Sequence, residues 1–384
     1  GVLFAYTGFL FALKASDQLS RVRVFASFFS SAAFVLGGRV ALSRFLIHSA
    51  RARRIGHRIV VLGGGERGQQ LIEYLRSRND PMTHIVGVFD DRSDRVPREV
   101  SGVPVLGGLR ELSDFVRNNP CDEVLVALPG SAHERIMQIV NELRVLPLHV
   151  SLCPDFAGLK FLPTSYRDCS GVPVLAMARK PFTHMQALVK RIEDLVLGSL
   201  ITLLVLPVMA VIAVLIKLDS RGPVLFKQPR YGFNNKLINV YKFRTMYTDR
   251  TDAAGAQLTQ RNDPRITRIG RFLRRSSLDE LPQFFNVLKG EMSIVGPRPH
   301  AVQAKAGSKL YEDVVTAYAS RHRVKPGITG WAQVNGWRGE TNTDEQILQR
   351  VNHDLHYIDN WSVLQDLWII LRTVFAVATT DKAF

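Results

Sequence analysis

The stretch Arg271-Phe-Leu-Arg-Arg-Ser-Ser-Leu-Asp-Glu-Leu-Pro282 sets two adjacent carboxylates, Asp279 and Glu280, at the end of an arginine-rich run. Two further basic stretches accompany it. Tyr241-Lys-Phe-Arg-Thr-Met246 carries Arg244, and Gly296-Pro-Arg-Pro299 holds Arg298 between two prolines. These are the parts that phosphoryl transfer needs: cations to absorb phosphate charge, a nucleophile and usually a divalent metal. An aspartate carboxylate is an accepted covalent nucleophile toward phosphorus. A neighbouring glutamate can hold the metal or handle protons. Seen alone, the same two acids equally suit exposed ion pairs with Arg274 and Arg275.

A second pattern lies upstream. Gly63-x-Gly65-x-x-Gly68 follows a short apolar run, and Asp90 stands where a ribose-binding acid would. The same glycine turn also serves purely structural or regulatory ends. The chain holds no Tyr-x-x-x-Lys, which weighs against a short-chain dehydratase or epimerase. It has no P-loop, which disfavours a nucleotide kinase, and no Asp-x-Asp of the common metal-dependent sugar transferases.

The elements that must position these groups are legible in outline. The chain has 384 residues, 46% hydrophobic and 22% charged, enough for two or three domains with real cores. Three widely spaced cysteines give neither a disulfide framework nor a metal spacing. The net charge of +16 calls for acidic partners, and residues 217–298 hold 16 Lys/Arg against 7 Asp/Glu. No nucleic-acid motif accompanies that charge. The uncharged opening Gly1–Leu13 reads as the remnant of a helix whose upstream part is missing. Val24–Ile47 reads as a spanning helix, with Arg39 and Arg44 at the membrane edge. Arg51, Arg53, Arg54 and Arg58 then place the next domain on the cytoplasmic side. Strand-like runs at 57–62, 84–89, 103–106 and 123–128 alternate with helical patterns, the sign of a Rossmann-like parallel α/β domain over 55–150. Residues 151–185 read as a linker with one or two short strands. Leu195–Ile216 carries no charge and is long enough to span, with Pro207 near its middle. Its basic flanks favour a re-entrant hairpin over 195–217 that enters, bends at Pro207 and leaves on the same side.

Residues 186–384 resemble the catalytic domain of bacterial polyprenyl-phosphate sugar-1-phosphate transferases, the monotopic phosphoglycosyl transferases. The matching blocks are Asp219-x-x-Gly-Pro-Val-x-Phe-x-Gln228, Tyr241–Met246, Ser277-Leu-Asp-Glu-Leu-Pro-Gln283, Phe285-Asn-Val-Leu-Lys-Gly290, Met292-Ser-x-Val-Gly-Pro-Arg-Pro299 and Val324–Gly336. The first half is similar to the large form, which has spanning helices and a Rossmann-like domain ahead of the catalytic part. The fold class expected is therefore an α/β membrane protein: transmembrane helices over 1–50, the Rossmann-like domain, the linker, and a mixed α/β catalytic domain carrying the re-entrant helix.

The resemblance implies that Asp279 is the nucleophile, that Glu280 assists, and that Mg2+ binds at this pair. It implies that Arg244, Arg274 and Arg298 hold phosphate groups and that Thr329, Trp331 and Gln333 lie in the uridine-sugar region. A turn packed by Trp331 is the plainer reading of that last block. Pro207 matches the helix-breaking proline, although Leu206 replaces the serine that small members place before it. Arg338-Gly-Glu-Thr341 and Asp354–Ser362 are similar to transferases that use UDP-glucose. The implied acceptor is undecaprenyl phosphate, at the cytoplasmic face of the bacterial inner membrane among membrane lipid, in a homodimer. Three alternatives remain: galactose or an N-acetylhexosamine as the sugar, a non-catalytic polysaccharide-assembly scaffold, and a nucleotide-dependent oxidoreductase resting on Gly63, Gly65, Gly68 and Asp90.

Overall fold

Runs of β-branched and leucine side chains bury on both faces only where a parallel sheet is covered on both sides. Ile59–Leu62 and Val124–Val126 are such runs, and every one of these residues is buried. The computed structural model describes residues 29–40, 44, 56–92, 96–153, 167–248, 263–300, 305–306, 309–310, 318–337, 339 and 343–379. The opening Gly1–Leu13, the cluster Arg51, Arg53 and Arg54, and Arg338 and Thr341 of the tail lie outside them. Within the expected first spanning segment, the helix Phe29–Val40 is described. Alone it is shorter than the roughly 20 residues that a bilayer needs.

The strands Val103–Gly107, Thr83–Phe89, His57–Leu62, Glu123–Val126 and His149–Leu152 lie side by side and pair in parallel. The helices Glu66–Ser77, Leu109–Asn118 and His133–Leu143 form the crossovers. Each buries its apolar stripe in one of two core clusters. The segment expected as a linker contributes more than connection. Val172–Ala178 pairs antiparallel with His149–Leu152, and Arg167–Cys169 completes the edge.

One helix then runs from His184 to Asp219, 36 residues, or about 54 Å. Its start is a capping box: Thr183 Oγ1 accepts from the Gln186 amide, and Gln186 Oε1 accepts from the Thr183 amide. The helical run is continuous through Pro207, without a non-helical break at the expected bend. Proline removes one hydrogen bond there, to the Leu203 carbonyl. The following turns are held by Met209, Ile212 and Ile216, which pack on Phe243 and Leu273.

Both ends of this helix are fixed to one body. Near its start, Lys190 meets Asp366 at 2.5 Å, and Arg191 donates to the Val287 and Leu288 carbonyls at 2.8 Å each. At its end, Arg244 donates to the Ser220 and Arg221 carbonyls at 2.7 Å each, and Asp219 accepts from the Ile269 amide at 3.2 Å. Between them Leu203 and Leu204 are 72% and 76% exposed on the outer face. The helix lies along the second half of the chain, and its most apolar 18-residue window has a mean hydropathy of 2.9.

That second half is a small mixed assembly. The hairpin Leu225–Tyr231/Leu237–Phe243 stands beside the helix Gln283–Lys289. The short strands Ser293–Val295 and Gly327–Thr329 pair in parallel, and the helices Asp344–Asp359 and Val363–Thr379 cover them. Backbone meets backbone where the arginine helix Arg268–Arg275 crosses the hairpin's exit. A Cβ on Gly270 would lie 2.1 Å from the Thr245 carbonyl oxygen. Gly270→Ala should therefore lower stability by about 1–3 kcal/mol, read as a fall in melting temperature in detergent.

Candidate active site

The turn that carries the two acids is made by a helix end. Arg268–Arg275 starts at Thr267, whose Oγ1 accepts from the Gly270 amide at 2.9 Å. It stops because Ser277 takes the left-handed conformation, φ 54°. A single turn, Leu278–Glu280, and Pro282 follow before the helix Gln283–Lys289. Asp279 and Glu280 thus sit on a tight corner between two short helices. A non-glycine residue at positive φ is strain concentrated at this corner.

The two carboxylates have unlike surroundings. Glu280 is clamped: Lys242 Nζ stands 2.9 Å away, and Arg298 donates twice, at 2.5 and 3.2 Å. Burial alone would raise its pKa, but Arg298 and Lys242 outweigh burial and hold it well below the usual carboxylate range. Asp279, half-buried, accepts no side-chain hydrogen bond among the described residues. Burial and the neighbouring Glu280 charge push it up to about 6, against the pull of Lys242, Arg274 and Arg298. One acid is therefore a fixed anion, and the other is an under-compensated one.

The arginine of the Gly296-Pro-Arg-Pro299 loop is held from behind by its backbone. Arg321, itself 1% exposed, donates to the Arg298 carbonyl at 3.0 Å and forks onto Asp354 at 2.5 and 3.0 Å. Arg230 donates to the Pro299 carbonyl at 2.5 Å. Its pKa falls to about 10 through burial and repulsion from Arg298. His300 packs on Tyr318, and burial with Arg321 and Arg350 keeps its imidazole neutral, its pKa far below the usual range.

Of the expected phosphate-binding cations, the structure brings Arg298 and Arg274 to the pair. Arg274 Nε donates to Thr245 Oγ1 at 2.9 Å, and its charge acts on Asp279. Arg244 is instead spent on the carbonyls that end the long helix, with a further bond to Ser220 Oγ at 3.0 Å. The reason is local: the strand stops at Phe243, so its alternation places Lys242 in the site and lets Arg244 turn away. The expected ion pair with Arg275 does not form either, for Glu280 faces Lys242 and Arg298. Lys242, Arg230 and Arg321 are not singled out by the sequence alone. Lys242 had a signal, since it lies two residues from Arg244 in one strand-like run.

The other expected groups have structural tasks. Thr329 Oγ1 meets Thr373 Oγ1 at 2.6 Å. The Trp331 ring packs between His356 and Trp368, and Gln333 Nε2 reaches the Ile328 carbonyl at 3.5 Å. This block is a turn packed by Trp331, adjoining the Arg298 loop through the Ser293–Val295 pairing. In the tail, Asp354 serves Arg321, while Tyr357 and Trp361 both donate to Asp366. Upstream, Gly63 adopts φ +110°, and a Cβ on Gly68 would lie 1.9 Å from the Gly63 oxygen. Asp90 accepts from the Gly64 amide at 2.8 Å and pairs with Arg92, which brings its pKa to about 2. The acid expected to take a ribose is already engaged by its own loop.

A magnesium ion fits the carboxylate pair by donor chemistry. Mg2+ takes one or two carboxylates and fills its other positions with waters and substrate phosphates. The partnerless oxygens of Asp279 and its raised pKa mark a place where positive charge is still wanted.

A family model described as bacterial sugar transferase matches residues 185–380, and one described as CoA-binding domain matches residues 1–154. The UDP-glucose:undecaprenyl-phosphate glucose-1-phosphate transferase of Escherichia coli (strain K12) is 44% identical over 326 residues, 85% of this chain and 68% of that protein. The undecaprenyl-phosphate glucose phosphotransferase of Komagataeibacter xylinus is 40% identical over 350 residues, 88% of this chain, and the chain spans 63% of that protein's length. A UDP-N-acetylgalactosamine-undecaprenyl-phosphate N-acetylgalactosaminephosphotransferase of Aeromonas hydrophila is 41% identical over 194 residues, 50% of this chain and 44% of that protein. Since the sugar transferase model takes in the whole carboxylate site and the likeness to the Escherichia coli protein runs through both halves, this chain belongs to the bacterial sugar transferase family.

Proposed function

We propose that the chain transfers glucose 1-phosphate from UDP-glucose to undecaprenyl phosphate by way of a phosphosugar held on Asp279. The observation that carries this reading is the asymmetry of the pair: an uncapped Asp279 beside a Glu280 clamped by Lys242 and Arg298. A general-base mechanism would need only one such acid. A covalent one needs a carboxylate free to attack and a fixed electrostatic frame around it.

In the first half-reaction, an Asp279 oxygen bonds to the β-phosphorus. The bond from that phosphorus to the bridging oxygen breaks, and the oxygen leaves with UMP. In the second, an oxygen of the lipid phosphate bonds to the same phosphorus and the Asp279–phosphorus bond breaks. This regenerates the carboxylate and yields undecaprenyl diphosphate glucose. Arg298, Arg274 and Lys242 face the phosphate charge in both halves. Glu280 keeps two of them in place. Mg2+, held by Asp279 and Glu280 when bound, would neutralise diphosphate charge.

The long helix supports a membrane-surface reading. Because both its ends are tied to one body, it enters the bilayer's surface layer sideways rather than crossing it. A soluble donor and a lipid acceptor meet at such a surface, here on the cytoplasmic face of the inner membrane. The names of the relatives support glucose and undecaprenyl phosphate, and the Aeromonas relative keeps an N-acetylated sugar as the second reading.

Asp279→Asn should abolish both UMP release and lipid product, measured with UDP-sugars, undecaprenyl phosphate and Mg2+ in nanodiscs. Normal turnover by that variant would sink the covalent mechanism. Only ionised Asp279 attacks, so kcat/KM should fall about tenfold per pH unit on an acid limb, whose midpoint Mg2+ on the pair draws below the metal-free value of about 6. Removing the Lys242 cation in Lys242→Met should shift that acid limb upward by about one unit or more, seen in the same pH profile. EDTA should stop UMP release and added Mg2+ restore it; full activity in EDTA would remove the metal from the scheme.

A further inference from the structure

At the amino-terminal edge of the parallel sheet, far along the chain from Asp279, three strands bring three different metal-ligating side chains to one point. His57 opens the strand His57–Leu62, Glu123 opens the adjacent strand Glu123–Val126, and Cys169 closes Arg167–Cys169. Their donor atoms all lie within 4.8 Å of one another. His57 Nε2 stands 2.9 Å from Glu123 Oε2, and Cys169 Sγ stands 3.2 Å from the same oxygen. Glu123 and Cys169 are buried, at 0% and 4% exposure. The His57 side chain is 30% exposed and opens the point to solvent.

From this geometry we infer a transition-metal site, with Zn2+ as the fitting ion, bound by His57, Glu123 and Cys169. Imidazole, carboxylate and thiolate are the Zn2+ ligand types, and their donor atoms already lie within 4.8 Å of one another. One carboxylate and one thiolate together carry two negative charges, which matches the charge of a divalent ion. On binding, the Cys169 sulfur gives its proton to solvent and forms the metal–sulfur bond. A water reaching the site past His57 takes the fourth position.

The outer shell is already in place. Ser151 Oγ donates to the second Glu123 oxygen at 2.6 Å and orients the carboxylate. Cys169 is set by the turn after it, which is pinned twice: Ser170 Oγ meets Thr83 Oγ1 at 2.6 Å, and Tyr74 donates to the Gly171 carbonyl at 3.0 Å. The ion would join the first strand, its neighbour and the covering hairpin, which are distant in sequence. A second grouping, His57 with Asp122 and His184, shares the imidazole. Its His184 side chain is 79% exposed, and Asp122 is already taken by Lys180 at 3.0 Å.

The test is metal analysis of the full-length chain in detergent, after Zn2+ loading and removal of the excess. The expected content is about one Zn2+ per chain, with Cys169 protected from alkylation and a raised melting temperature. Replacing zinc by Co2+ should give a sulfur-to-cobalt charge-transfer band in the near ultraviolet, a readout that does not depend on any variant's folding. Cys169→Ser and Glu123→Gln should lose the metal, and His184→Ala should keep it. Absence of bound metal with an unmoved melting temperature would overturn the assignment. So would a cobalt complex lacking the sulfur band, or metal lost in His184→Ala and kept in Cys169→Ser.

Discussion

Two neighbouring carboxylates removed from water cannot both stay ionised unless cations are brought to them, and the second half of this fold is organised around meeting that demand unevenly. Lys242 and Arg298 are delivered to Glu280 from a strand end and a proline-bounded loop. Asp279 is left with charge acting on it and no bond holding it. The division separates roles that a symmetric pair would mix. On the proposed reading, one acid becomes part of the frame and the other keeps its lone pairs for chemistry.

The frame costs desolvation, so it has to be held rigidly from outside. Arg321 and Arg230 grip the backbone carbonyls of Arg298 and Pro299, and Asp354 fixes Arg321. The helix Asp344–Asp359 is thereby coupled to the loop that carries Arg298. The long apolar helix is held in the same manner, with ion pairs at its start and Arg244 at its end. Its exposed leucines are a consequence: a helix tied down at both ends can present one face to protein and the other to lipid.

The parallel sheet was legible because its strands are continuous apolar runs bounded by glycine, proline and acids. The Asp279-Glu280 pair and Arg298 stood out through the resemblance of the blocks around them, since two acids after an arginine run equally suit exposed ion pairs. What sequence spacing could not supply was the partner of each cation. Arg244 and Lys242 lie two residues apart, yet the end of one strand sends one to a helix terminus and the other to the site. Asp90 matches a ribose-binding acid in position, but Arg92 two residues later claims it. Pro207 signals a break by its chemistry, while packing on both flanks keeps the helix in one piece. The grouping of His57, Glu123 and Cys169 depends on strand order, which no local pattern encodes.

The central claim is that Asp279 carries the sugar phosphate between donor and acceptor. Its most direct test is mass spectrometry of the protein incubated with UDP-glucose and Mg2+ in the absence of lipid phosphate. A hexose-phosphate adduct on the peptide containing Asp279, discharged when undecaprenyl phosphate is added, is the predicted result. Steady turnover with no adduct at any time, or an adduct on another residue, would contradict it.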